Sequence, residues 1–209
     1  MIEALAVAAP RSVEIWFDFG SPYAYLTVMR AGEVAAAHAL EITWRPFMLG
    51  PIFRELGWQS SPFLEQKEKL AYLWHEMPRL CAKYRFGWKQ PSAFPRQSLL
   101  PARIAISHVD EEWCTDYCRA VIARNFAEDL EIESPQAQSQ ILCALRLPAD
   151  AILAKATSDE TKTMLRRQTE RARRLGIFGA PTFVVRDQLF WGNDRLEDAM
   201  LCADESNAC

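Results

Sequence analysis

The sequence predicts an α/β fold in which one domain is interrupted by a large all-helical insertion. Three observations carry the prediction: a strand, helix, strand unit near the start, a long middle stretch rich in helix signals with almost no strand, and a hairpin followed by a helix near the end. The boundaries drawn from these signals are 12–61 for the first part of the α/β domain, 62–175 for the insertion and 176–203 for the returning part.

Val13-Glu14-Ile15-Trp16-Phe17-Asp18-Phe19 is dense in β-branched and aromatic residues and reads as a buried strand. Gly20-Ser21-Pro22 then starts a helix: Ser21 as N-cap accepts from an orphan amide, and Pro22 at the first helical position has no amide to satisfy. That helix is predicted to run to about Leu40, and a second strand, Glu41 to Phe47, follows through a right-handed connection. In the middle, Asp110, Ser134 with Pro135, and Thr157 with Glu160 as a capping box are predicted helix starts. Gly87 is the expected stop of the Phe63 to Phe86 pattern, Pro148 ends the segment before it, and Gly176 closes the basic helix Leu165 to Leu175. Thr182 to Val185 and Leu189 to Trp191, joined by Arg186-Asp187-Gln188, read as a hairpin. Asp194 with Glu197 is a capping-box variant that starts a last helix to about Cys202, and the tail from Asp204 to Cys209 is expected to fray.

Half of the 209 residues are apolar and 24% are charged, which excludes disorder and a disulfide scaffold. A net charge of −3 argues against nucleic acid or an anionic membrane as partner and leaves a small molecule. No apolar stretch reaches the 18 or so residues of a membrane span. Met1-Ile2-Glu3 lacks the basic start of a secretory signal, so a cytoplasmic location is expected. The six cysteines include no C-x-x-C pair; Cys114 and Cys118 can share a helix face, but with no second pair beside them no metal site is predicted. His38, His75 and His108 receive no role.

Phe-Asp-Phe-Gly-Ser21-Pro22-Tyr23-Ala24 resembles the strand-to-helix turn at which thioredoxin-like and DsbA-like oxidoreductases carry C-P-x-C. Here Ser21 and Ala24 stand where those cysteines would be, so disulfide exchange at this turn is excluded. With Arg45-Pro46-Phe47-Met48-Leu49-Gly50, Phe178-Gly179-Ala180-Pro181-Thr182 and Leu189 to Leu196, the chain resembles the 2-hydroxychromene-2-carboxylate isomerase family, close to kappa-class glutathione transferases, from about Val13 to about Leu201.

The resemblance implies a thioredoxin-like domain with a helical insertion, glutathione as cofactor, and a small aromatic carboxylate as substrate. It also implies a cis bond before Pro181 and a homodimer. It places Ser21 against the glutathione sulfur, as a donor that stabilises a thiolate. Ala180 and Pro181, with Trp191, Gly192, Asn193 and Asp194, are implied to hold the tripeptide, Asp194 facing its ammonium. For the substrate carboxylate Arg96 is the candidate, with Arg45 and Arg54 behind it; Gln97, Tyr72 and Trp74 are further candidates. Gln97 stands where many relatives have Asn.

Plainer readings stand beside these. Ser21 can be a helix cap alone, Arg96 can bridge to an acid, Tyr72 and Trp74 can be helix core, and the arginines from Arg166 to Arg174 can be a solvated face. The functional readings that compete are a glutathione-dependent isomerase, a kappa-like glutathione transferase or peroxidase, and a non-catalytic binding module of thioredoxin fold.

Overall fold

The structure, a computed structural model, describes residues 11–204; the expectations for the N-terminal signal and for the tail beyond Asp204 lie outside the described residues. The chain runs β1 (Ser12–Phe17), α1 (Pro22–Ala37), β2 (Glu41–Pro46) and α2 (Leu49–Glu55). Seven helices follow: α3 (Pro62–Glu65), α4 (Lys67–Tyr84), α5 (Leu99–Ser107), α6 (Cys114–Phe126), α7 (Pro135–Ala144), α8 (Ala149–Thr157) and α9 (Asp159–Arg174). It closes with β3 (Thr182–Val185), β4 (Gln188–Trp191), a 3-10 turn at Asn193–Arg195 and α10 (Leu196–Asp204).

One four-stranded sheet has the order β2-β1-β3-β4, with β1 parallel to β2 and antiparallel to β3. Side chains alternate across β1, so Val13, Ile15 and Phe17 enter the core shared with α1, α10 and the helical insertion, while Trp16 points the other way. On that second face Trp16 packs with Phe47, Leu49 and Ile52 from around α2 and with Ala172 and Ile177 at the end of α9. Both faces are thus covered, as a parallel pair requires.

The predicted element order is observed, with boundaries moved for local reasons. The first helix stops at Ala37 and not at Leu40, because Ala39 takes a left-handed backbone at φ 52. The Phe63 to Phe86 pattern is two helices, broken at Gln66. Its stop is Arg85, at φ 61, rather than Gly87: the Phe86 amide returns to the Cys81 carbonyl at 2.8 Å and closes the end. Asp110 lies in the turn after α5, and α6 starts four residues later. Thr157 is the last residue of α8; the cap of α9 is Ser158, whose extended backbone lets its Oγ accept from the Thr161 amide at 3.2 Å. The hairpin turn is two residues, with Val185 opposite Gln188, so β4 starts one residue early. Asp194 falls inside the 3-10 turn, and α10 starts at Leu196.

Helix α2 is absent from the sequence prediction. Its first amide, on Leu49, is satisfied from outside by the Asp18 carboxylate at 2.8 Å. That partner lies 31 residues away, out of reach of any local pattern.

Glu14, also on the outer face of β1, ties α9 and β2 to the sheet. It accepts from Arg45 at 2.7 and 2.9 Å, from Arg171 at 2.9 and 3.1 Å and from the Trp16 indole at 3.1 Å. Burial pushes its carboxyl up, and the two guanidinium groups more than reverse this, leaving it below its ordinary value of 4.5. A depressed carboxyl contributes stability that is present above its unfolded value and lost as pH falls through the folded one. Glu14→Gln is therefore expected to cost about 2 kcal/mol at neutral pH. In urea melts across the acid range the gap to wild type should narrow below pH about 4; a constant gap would show that the charge of Glu14 does not matter.

Candidate functional site

The turn between β1 and α1 carries the site. Ser21 has extended backbone (φ −91, ψ 119), its Oγ accepts from the Ala24 amide at 3.3 Å, and its hydroxyl donates to the Ala180 carbonyl at 2.7 Å. Ser21 is 8% exposed and Ala24 is fully buried. The Ala180–Pro181 bond is cis, as the resemblance implies, and so is Phe94–Pro95. Ser21 therefore touches the proline loop directly, across 159 residues of sequence.

Behind this turn lies Asp18, which the sequence analysis passed over. Its Oδ1 accepts from the Gly20 amide at 2.8 Å and the Ser98 hydroxyl at 2.7 Å, and its Oδ2 from the Leu49 amide at 2.8 Å. Burial pushes its carboxyl up, and these three donors pull it partly back. The Asn125 amide donates to the Phe19 carbonyl at 3.0 Å, gripping the same turn from α6. A signal existed for Asp18: a carboxylate between two phenylalanines at the end of a buried strand must find donors. Which donors it finds is not written locally.

Trp191 is 55% exposed and packs against Phe178, itself 47% exposed, with ring centres 4.7 Å apart. Between them Gly179 leaves no room: a Cβ there would lie 2.4 Å from the indole Nε1. Gly192 has φ 110, and its amide donates to the Pro181 carbonyl at 3.0 Å, tying the end of β4 to the proline loop. Asp194 is exposed beside Arg195 at 3.3 Å. Asn193 is buried, its side chain facing the Thr27 hydroxyl at 3.3 Å, so towards a ligand it offers backbone only.

Arg96 is committed elsewhere. Its guanidinium donates to Asp129 Oδ1 at 2.6 Å, to Asn125 Oδ1 at 3.1 Å and to the Ser92 hydroxyl at 3.2 Å, and a substrate carboxylate would have to displace these. The acid it bridges lies in the insertion. Bonds from Ser92 and then Arg96 hold the Asp129 carboxyl at about 2. Gln97 is exposed. Trp74 is insertion core, 4.9 Å from Phe94 and 6.2 Å from Trp88. Tyr72 is 58% exposed, with Arg79 above its ring. Burial pushes the Tyr23 hydroxyl up, and Glu76, Tyr72 and Asp194 raise it further.

Two grooves flank α9. One of about 490 Å³ runs between α2 and the end of α9 to Phe178; another of about 340 Å³ lies between α2, α5 and α9, lined by Met48, Leu99, Arg103, Lys162, Leu165 and Arg166 among others. Glu55 and Arg173 line both, and their ion pair at 2.5 Å spans the groove from α2 to α9. Ser21 lines neither.

A hydroxyl at a helix N-terminus, facing a cis-proline loop and lacking both cysteines, defines a thioredoxin-fold protein that has lost dithiol chemistry at this turn. The chain belongs to the DSBA-like thioredoxin domain family, whose description matches residues 12–200. It is 26% identical over 190 residues to a 2-hydroxychromene-2-carboxylate isomerase of Sphingobium xenophagum, covering 90% of this chain and 95% of that one. It is 25% identical over 206 residues to glutathione S-transferase kappa 1 of Rattus norvegicus, covering 90% and 89%. A solved 2-hydroxychromene-2-carboxylate isomerase has the same fold, with a TM-score of 0.83 at 24% identity over 94% of this chain and 98% of that one.

Gly179→Ala is expected to push the Trp191 indole off Phe178, read as a red shift and a quenching change in tryptophan emission against a Trp191→Phe control. Emission that stays the same would show that the loop absorbs the methyl group. Arg96→Ala is expected to lower the thermal midpoint through loss of the bonds to Asn125 and Asp129; an unchanged midpoint would return Arg96 to the substrate candidates.

Proposed function

We propose that this chain is a glutathione-dependent isomerase acting on 2-hydroxychromene-2-carboxylate and trans-o-hydroxybenzylidenepyruvate or a related aromatic metabolite. The observation that carries the reading is Ser21: a buried hydroxyl at the N-terminus of a 16-residue helix, bonded to the cis-proline loop, with no cysteine beside it. The residues present suit glutathione. The helix end favours an anion, the hydroxyl can turn from the Ala180 carbonyl to a sulfur, and each bond to the charged form lowers a thiol pKa. Asp194 supplies an exposed carboxylate for an ammonium, Trp191 an apolar wall, and Gly192 and Asn193 backbone. Bound glutathione supplies a thiolate whose reversible addition to a conjugated double bond frees that bond to rotate.

The likeness to a kappa transferase supports a second reading, in which glutathione is conjugated or oxidised rather than returned. A cytoplasmic homodimer belongs to the first reading, by family resemblance.

Calorimetry with reduced glutathione and with S-methylglutathione, on wild type and Ser21→Ala, tests the proposal. Saturable binding of glutathione, weakened by either change, is expected; no binding at millimolar glutathione would leave a binding module. Turnover that consumes glutathione would select the transferase.

A further inference from the structure

Asp18 is a buried carboxyl whose bonds, among the described residues, come from two backbone amides and one hydroxyl and from no cation. A buried acid without a counter-ion is costly unless its donors need it in return. Here they do. Gly20 belongs to the turn before α1, Leu49 is the first residue of α2, and Ser98 is the N-cap of α5. Three segments converge on one carboxyl.

The helix α5 shows which contact prevails. Ser98 makes no side-chain bond to its own helix, giving its hydroxyl to Asp18, and the Leu100 amide is satisfied instead by Glu133 at 3.2 Å. The insertion reaches the same turn twice more. Asn125 donates to the Phe19 carbonyl, and the Arg96 carbonyl lies 3.2 Å from where a Cβ on Gly20 would be. The next residue, Ser21, donates its own amide to the Asp18 carbonyl at 3.0 Å.

We propose that Asp18 is a positioning residue for the anion site at Ser21: through Gly20, Leu49 and Ser98 it locks the turn that aims the Ser21 hydroxyl and the first amides of α1. It makes no contact with the reacting atoms. The inference rests on the glutathione reading above.

Asp18→Asn tests it, because an amide has one accepting oxygen where two are used, so the Gly20 or the Leu49 amide must face an NH2 group. Ser98→Ala removes one donor and keeps the carboxyl. The first readout is the pH titration of the thiol of bound glutathione, followed by ultraviolet thiolate absorbance. Loss of positioning raises that thiol's pKa by about one unit in Asp18→Asn and by less in Ser98→Ala. Loss of a buried negative charge alone would lower it, so the sign separates the two causes. An unchanged or lowered thiol pKa in Asp18→Asn overturns the proposal. If that variant does not fold, an unchanged thiol titration in Ser98→Ala overturns it.

The second readout needs no glutathione. Hydrogen exchange at the Gly20, Ser21 and Ala24 amides should quicken about tenfold in Asp18→Asn while the Met200 amide of α10 keeps its rate. Equal acceleration at all four would mean a general loss of stability and would overturn the proposal. Wild type that binds no glutathione, with exchange selectively quickened at the turn, would sink the glutathione reading and leave Asp18 as the organiser of the turn.

Discussion

The side chain of Asp18 joins the turn that carries Ser21 to α2 on one side and to α5 on the other, using both oxygens of one buried carboxyl. Much of the site geometry follows from this constraint. A helix of seven residues with no cap of its own begins where Asp18 accepts its first amide. A segment of the insertion is drawn against Gly20, where any side chain would meet the Arg96 carbonyl. The cost of burying the carboxyl is offset because three donors that would otherwise lack partners are satisfied at one point.

The insertion braces the turn that carries Ser21. Arg96, which reads in sequence as a fork for a substrate carboxylate, holds Asn125 and Asp129 in place, and Asn125 in turn holds the Phe19 carbonyl. On the opposite flank the proline loop is fastened by Ser21 to its carbonyl at Ala180, by Gly192 to Pro181 and by the close fit of Gly179 against Trp191. The turn is gripped from both sides, which leaves Ser21 little freedom beyond rotation of its hydroxyl. That is the freedom a donor to a sulfur anion needs.

Where DsbA-like oxidoreductases carry two thiols, this turn carries a hydroxyl and a buried methyl group. The helix end and the cis-proline loop remain, so the features that stabilise an anion survive without the group that would exchange disulfides. On the proposed reading a thiol is brought to this turn from outside, beside the exposed side chains of Trp191 and Asp194.

From sequence alone the element order, the interrupted α/β plan, Ser21 as the cap of α1 and the missing cysteines were all legible, because strand pattern, N-cap chemistry and residue identity are local properties. The cis state of Pro181 came with the family resemblance. Boundaries slipped where a non-glycine residue took a left-handed conformation, as at Arg85, or where adjacent hydroxyls competed for one cap, as at Thr157 and Ser158. Tertiary structure alone decided the roles of Asp18, Asn125, Arg96 and Asn193, and the existence of α2. Each depends on a partner between 29 and 166 residues away, and a hydrogen bond across such a separation leaves no period or motif in the chain. Residue type states that a buried carboxyl or guanidinium must be paired; only the packing of the two halves states with what.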